Sequence, residues 1–290
     1  MAEYVEEEDE EVSDEEKVAI VQHFLLNSPP GEFDEVKGDA LALVQDGLVS
    51  DSMLAGICRA YNKDALRIVD LEEGRKMVLC DASEIDATTY LDPRTGDSYS
   101  VDHATLAATK LESEGSPPTA ASALGEERTA IEAAVSEYVA AQYAGNACAG
   151  TFADDTDAIK VVVSGEKLNL RNYWSGNWRS TWTVEVRGTE AFVSGNMKVR
   201  AHYFEDGNVQ LQTSKDVPPT TASFADASQI GPAVADIIQQ AESELQQGLE
   251  DMYSNMSHET FKAMRRVMPI TRTKMKWNIH EIALNRNLRK

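Results

Sequence analysis

Apolar positions recur first at helical spacing, then every second residue, then at helical spacing again. Ser13 and Glu16 have the form of a capping box, and Val18, Val21, Phe24 and Leu25 follow up to the Pro29-Pro30-Gly31 breaker. Residues 32–45 place Phe33, Val36, Ala40, Leu43 and Val44 on one helical face, and 50–63 align Leu54, Ile57 and Tyr61. Short connections predict three packed helices here. Residues 77–80, 89–91 and 99–101 then read as short strands, with Asp92-Pro93-Arg94-Thr95-Gly96 turning between the last two. The stretch 104–125, rich in Ala, Ser, Thr, Glu and Pro, reads as a linker.

Residues 126–143 are helical again, with Ile131, Val135, Tyr138 and Val139 on a stripe and Gly145 just past the end. Strand character follows over 147–153, 158–168, 177–187, 190–205 and 207–217. Turns are expected at Asp154-Asp155-Thr156-Asp157, Ser175-Gly176, Arg187-Gly188 and Glu205-Asp206-Gly207-Asn208. Such short turns join antiparallel neighbours, so the runs form a five-stranded meander. Ser228 is the expected cap of a long helix with Pro232 in its first turn. Its stripe runs from Ile230 through Val234 and Ile238 to Met256, long enough to lie across one sheet face. The edge strand stays uncovered, which calls for a partner strand or a charged, protected edge. The fold class is α+β: an N-terminal helical stalk (1–67 with the acidic arm), a small central strand region with the linker (68–125), a five-stranded antiparallel sheet with its helices (126–256), and a C-terminal tail (257–290).

Charge changes the picture at both ends. The 290 residues carry 27 bases and 49 acids, a net −22. Residues 1–16 hold ten acids and no base, so this arm repels itself and is expected to be disordered at its tip. Residues 262–290 hold nine bases against the single acid Glu281, leaving 18 bases and 48 acids for the rest. A chain this acidic is not expected to coat nucleic acid. No apolar run reaches the roughly 18 residues of a spanning helix. The acidic opening does not resemble a signal peptide, and Cys58, Cys80 and Cys148 read as free thiols, so a cytoplasmic location is expected.

The basic tail is also amphipathic. After a cap at Ser257, Phe261, Met264 and Met268 form one stripe up to Pro269, and Thr271-Arg272-Thr273 reads as extended. In a last helix from about Met275, Met275, Ile279 and Ile282 fall within about 60° of one another. Trp277, Leu284 and Leu288 lie opposite. Two narrow stripes suit a bridge between the home domain and a second surface. The alternatives are a tail buried wholly in its own fold, and a peripheral module whose basic helix lies on anionic lipid.

Catalytic chemistry is missing. The five histidines have no metal spacing, and no phosphate-cradling loop or nucleophile elbow occurs, so neither a cofactor nor an enzyme is expected. Asp154, Asp155 and Asp157 sit where a turn already explains them. Trp174, Trp178 and Trp182 fall close together. Trp178 and Trp182 share strand parity, and all three read as core or subunit-interface anchors rather than a nucleic-acid platform.

Several blocks, in order, resemble the alpha subunit of the heterodimeric F-actin capping protein. They are Ser13-Asp14-Glu15-Glu16-Lys17-Val18, Pro29-Pro30-Gly31-Glu32-Phe33, Leu91-Asp92-Pro93-Arg94, the tryptophan block, Tyr203 to Leu211, Phe261 to Arg266, and Pro269 to Asn278. The resemblance spans nearly the whole chain except 104–125. It implies a stalk, a sheet that joins a beta subunit's sheet, and a C-terminal tentacle that caps the barbed end of an actin filament. Lys262, Arg266, Arg272 and Lys274 are then the basic actin contacts and Trp277 the apolar anchor, with Ile279 and Ile282 on the terminal amphipathic segment. Acidic protein regulators and phosphoinositides are implied for the same patch. Two positions depart from the family pattern: Asn177 stands where a basic residue is usual, and Lys276 where an acid is usual.

Overall fold

The computed structural model describes residues 12–111, 124–153, 158–205 and 207–255. Residues 1–11 of the acidic arm, the Asp154–Asp157 turn and the whole C-terminal tail lie outside the described residues. The chain divides into two units, Met1–Gln239 and Gln240–Lys290.

The stalk is three helices, α1 (Asp14–Leu26), α2 (Phe33–Ala42) and α3 (Asp51–Asp64). Ser13 and Glu16 close the expected capping box on α1, and Ser50 caps α3 by accepting from the Met53 N–H. Val21, Leu25, Ala40 and Ile57 form the stalk core. Helical periodicity places Phe24 and Leu43 on the inner faces, yet Phe24 is 53% and Leu43 83% exposed. Helix α2 stops at Ala42, so Leu43 falls beyond its last turn.

The central region pairs β1 (Ile68–Asp70) with β2 (Lys76–Val78), and separately orders β3 (Thr89–Leu91), β4 (Ser98–Asp102) and β5 (Ala107–Lys110) side by side. Met77, Leu79, Tyr90, Tyr99 and Val101 make its core. Strand β5 corrects the linker expectation: 107–110 pair with β4 through the backbone, and α4 (Gly125–Gln142) begins at the far end of the stretch. Residues 112–123 lie outside the described residues.

The meander is β6 (Asn146–Ala153), β7 (Ala158–Asn169), β8 (Trp174–Arg187), β9 (Glu190–Tyr203) and β10 (Val209–Ser223), all antiparallel in the order β10-β9-β8-β7-β6. Strand β8 begins three residues earlier than expected. The turn before it falls at 170–173 and closes on Tyr173 in the left-handed region (φ 58°), and the Ser175-Gly176 pair is held in the ladder between β7 and β9. Ladder pairing on both sides overrides the local turn preference.

One face of the sheet is apolar. Its cross-strand rows read Ile159–Val184–Val193, Val161–Trp182–Gly195 and Val163–Ser180–Met197. Helix α4 runs along β6 and β7 and buries Ile131, Val135 and Val139. The long helix α5 (Ala227–Asn255) carries Pro232 in its opening turns. Its first half buries Ile230, Val234 and Ile238, and it crosses α4 so closely at Gly231 that a Cβ there would collide with the Ala130 carbonyl. Asp226 rather than Ser228 supplies the side-chain acceptor at its start, taking the Ser228 N–H at 3.0 Å.

Candidate functional site

The opposite face of the sheet is polar, and it seats the stalk. Its rows read Val162–Thr181–Asn196, Ser164–Arg179–Lys198, Glu166–Asn177–Arg200 and Leu168–Ser175–His202. Arg179 is 4% exposed and donates to the Asp64 carboxylate (2.9 Å) and to the Asp64 carbonyl at the end of α3. Lys198 Nζ approaches the other Asp64 oxygen at 3.3 Å. Burial alone would raise the Asp64 carboxyl, but Arg179 and then Lys198 outweigh it and hold the group below its ordinary range. Asn177 donates to the Ala65 carbonyl at 3.1 Å. At the next row, His202 Nδ1 lies 2.6 Å from Glu32, the residue before α2, and the Ser175 hydroxyl donates to the same oxygen. Glu166 faces Arg67 at 3.3 Å; burial pushes its carboxyl up, with Arg67 offsetting only part.

Arg200 stands directly opposite Asn177 on β9, so a positive group is present in the same row, one strand over.

The three sequence-predicted tryptophans project from one face of β8, the apolar one, because β8 runs unbroken from Trp174. Trp182 is fully buried, its ring filling the space above Gly195. Trp178 and Trp174 are half-buried, and Lys167 Nζ lies 5.8 Å from the centre of the Trp174 ring. The predicted tail residues Lys262, Arg266, Arg272, Lys274, Trp277, Ile279 and Ile282 lie outside the described residues.

Among the described residues two surfaces are open. Among the described residues β10 pairs only with β9. Pro218 and Pro219 fall at a break in register between Val217 and Thr220, leaving 209–217 as a regular ladder whose outer side no other described strand pairs. The other edge is treated differently, since Lys76 of β2 reaches Asn146 of β6 at 2.6 Å and the Cys148 thiol donates to the Lys76 carbonyl. The second open surface is a groove of about 250 Å³ on the stalk, lined by Val12, Ile20, Phe24, Ala40, Leu43 and Val44. Periodicity names most of these residues but assigns them to the core. Among the described residues there is no group of three potential metal ligands, and no helix long and apolar enough to cross a membrane.

The sequence model of the F-actin capping protein alpha subunit matches residues 21–287. The chain belongs to this family. Curated alpha subunits agree along their length: that of Arabidopsis thaliana is 32% identical over 98% of this chain and 97% of its own. The Dictyostelium discoideum subunit is 33% identical over 91% and 94%. A solved structure, the homodimeric actin capping protein alpha subunit from Plasmodium berghei, superposes with a TM-score of 0.67 at 20% identity, covering 81% of this chain and 92% of that one. The likeness to that structure supports the α+β fold, and the family is that of an actin-binding cytoskeletal protein.

Proposed function

We propose that this chain pairs with a beta subunit and blocks subunit addition and loss at the barbed end of actin filaments in the cytoplasm. Family membership that runs through the tail, to residue 287, is the observation that carries the reading. The edge ladder of 209–217, which no other described strand pairs, offers the partner's sheet a strand to extend, and the exposed stripe of Ile20, Phe24 and Leu43 offers it apolar area on the stalk. Lys262, Arg266, Arg272 and Lys274 then meet the acidic filament end, and Trp277, Ile279 and Ile282 dock against it. Trp174 and Trp178, half-buried at one end of β8, support the sheet from its apolar face. Charge governs encounter and buried apolar contact governs release. Acidic regulators and phosphoinositide headgroups compete for the same cations.

A barbed-end elongation assay with the matching beta subunit tests this. Saturating complex should stop elongation; unchanged elongation refutes the proposal. Reversing Lys262 and Arg266 to Glu should lower the association rate and remove most of its salt dependence, while an effect confined to the off-rate would count against electrostatic steering.

A further inference from the structure

The polar face carries more positive charge than its own contacts answer. In the row Ser164–Arg179–Lys198–Ser214 two cations stand on directly paired residues, and Arg200 follows two residues along β9, between Asn177 and Gln212. Like charges directly opposite on a sheet repel unless an anion lies near both. Among the described residues Asp64 is the one carboxylate paired with them, and Arg179 and Lys198 share it. Arg200 forms no hydrogen bond or ion pair among the described residues, and the buried Arg179 Nε also makes no hydrogen bond. Nearby Lys63 is already matched by Asp81 and Glu84.

These groups line one cleft. About 290 Å³ lies between Asp64, Arg179, Lys198, Arg200, Gln212 and Ser214. Through the shared Asp64, Arg179 and Lys198 it adjoins a further space of about 470 Å³.

We infer that this cleft binds a small phosphate-bearing anion, its phosphate seated between Lys198 and Arg200 with Gln212 and Ser214 as neutral donors. Three cations against Asp64 and, one row away, Asp216, which accepts from Asn196, leave an excess of about one positive charge at the cleft, which a phosphomonoester supplies. A guanidinium matches phosphate oxygens in pairs, and Arg200 is half-buried with its fork unclaimed. The volume admits more than a bare phosphate. Long polyanions are disfavoured, because the chain before the tail carries 18 bases against 48 acids and repels them, whereas a compact anion senses the local field.

Isothermal titration of pyrophosphate into the full chain, in whichever dimer it forms and at constant ionic strength, tests the inference. Saturable binding at one site per chain is expected, weakened about tenfold or more by Arg200→Gln and less by Lys198→Gln. Lys110→Gln, in the small central sheet, should leave it unchanged. Arg200 makes no hydrogen bond or ion pair to the stalk among the described residues, although it lines a small cavity with Ser28, Pro30 and Tyr61, so melting temperatures should confirm that Arg200→Gln still folds. Absence of saturable binding by the wild-type chain, or equal affinity in Arg200→Gln, overturns the inference. No actin is present, so the outcome is independent of capping.

Discussion

The two faces of the five-stranded sheet are built from alternate residues of the same strands, and they do opposite work. On one, Val161, Val163, Trp182, Val184, Val193 and Met197 are fully buried. On the other, Glu166, Asn177, Arg179 and His202 are almost as deeply buried, yet they meet the stalk through named hydrogen bonds and ion pairs. Apolar burial is large and indifferent to angle. Buried polar contacts add little net energy but penalise every misalignment, since each unpaired group then loses its partner. The apolar face therefore stabilises the domain, and the polar face fixes how the stalk stands on it.

This contrast breaks first at Trp182. Trp182→Ala should destabilise the chain by about 3–5 kcal/mol, read as a lower denaturation midpoint; a loss below 1 kcal/mol would show that the apolar face is not the main stabiliser. Gly195→Ala comes next. Its new methyl must displace the Trp182 ring, and the expected loss is about 1–3 kcal/mol. The smallest effect belongs to the polar face. Asp64→Asn should cost on the order of 0.5 kcal/mol at neutral pH, because the carboxylate is half-exposed and solvent screens it. The sign is set by its lowered folded-state carboxyl: the stabilisation is full above the unfolded value near 3.9 and fades as pH falls through the folded one. Melting curves of the wild-type and Asp64→Asn chains should converge in acid. A gap that widened instead would assign the effect to another group.

Features that declare themselves locally were legible in the sequence. Ser13 with Glu16 gave α1, the spacing of Leu54, Ile57 and Tyr61 gave α3, and 89–91 coincides with β3. Short strands without a buried face were not. Only one residue of β5 is even half-buried, and the strand is held by backbone pairing with β4, so side-chain periodicity had nothing to report. Strand β8 misled for another reason: Ser175-Gly176 is a good turn pair, but two flanking ladders outweigh it. The polar residues Asn177, Arg179 and Lys198 carry no local sign of the stalk, because the stalk groups that meet them are remote in sequence. The candidate tail was legible as charge and amphipathic stripe alone, and its contacts lie outside the described residues.

The proline pair in β10 has a consequence for assembly size. Neither residue offers an N–H, and register slips across them, so an incoming strand finds regular bonding only along 209–217. In the proposed pairing the two prolines would act as a ruler that sets how much of the partner's backbone the sheet accepts. They also frustrate the indefinite stacking to which a long, bare margin would otherwise be prone.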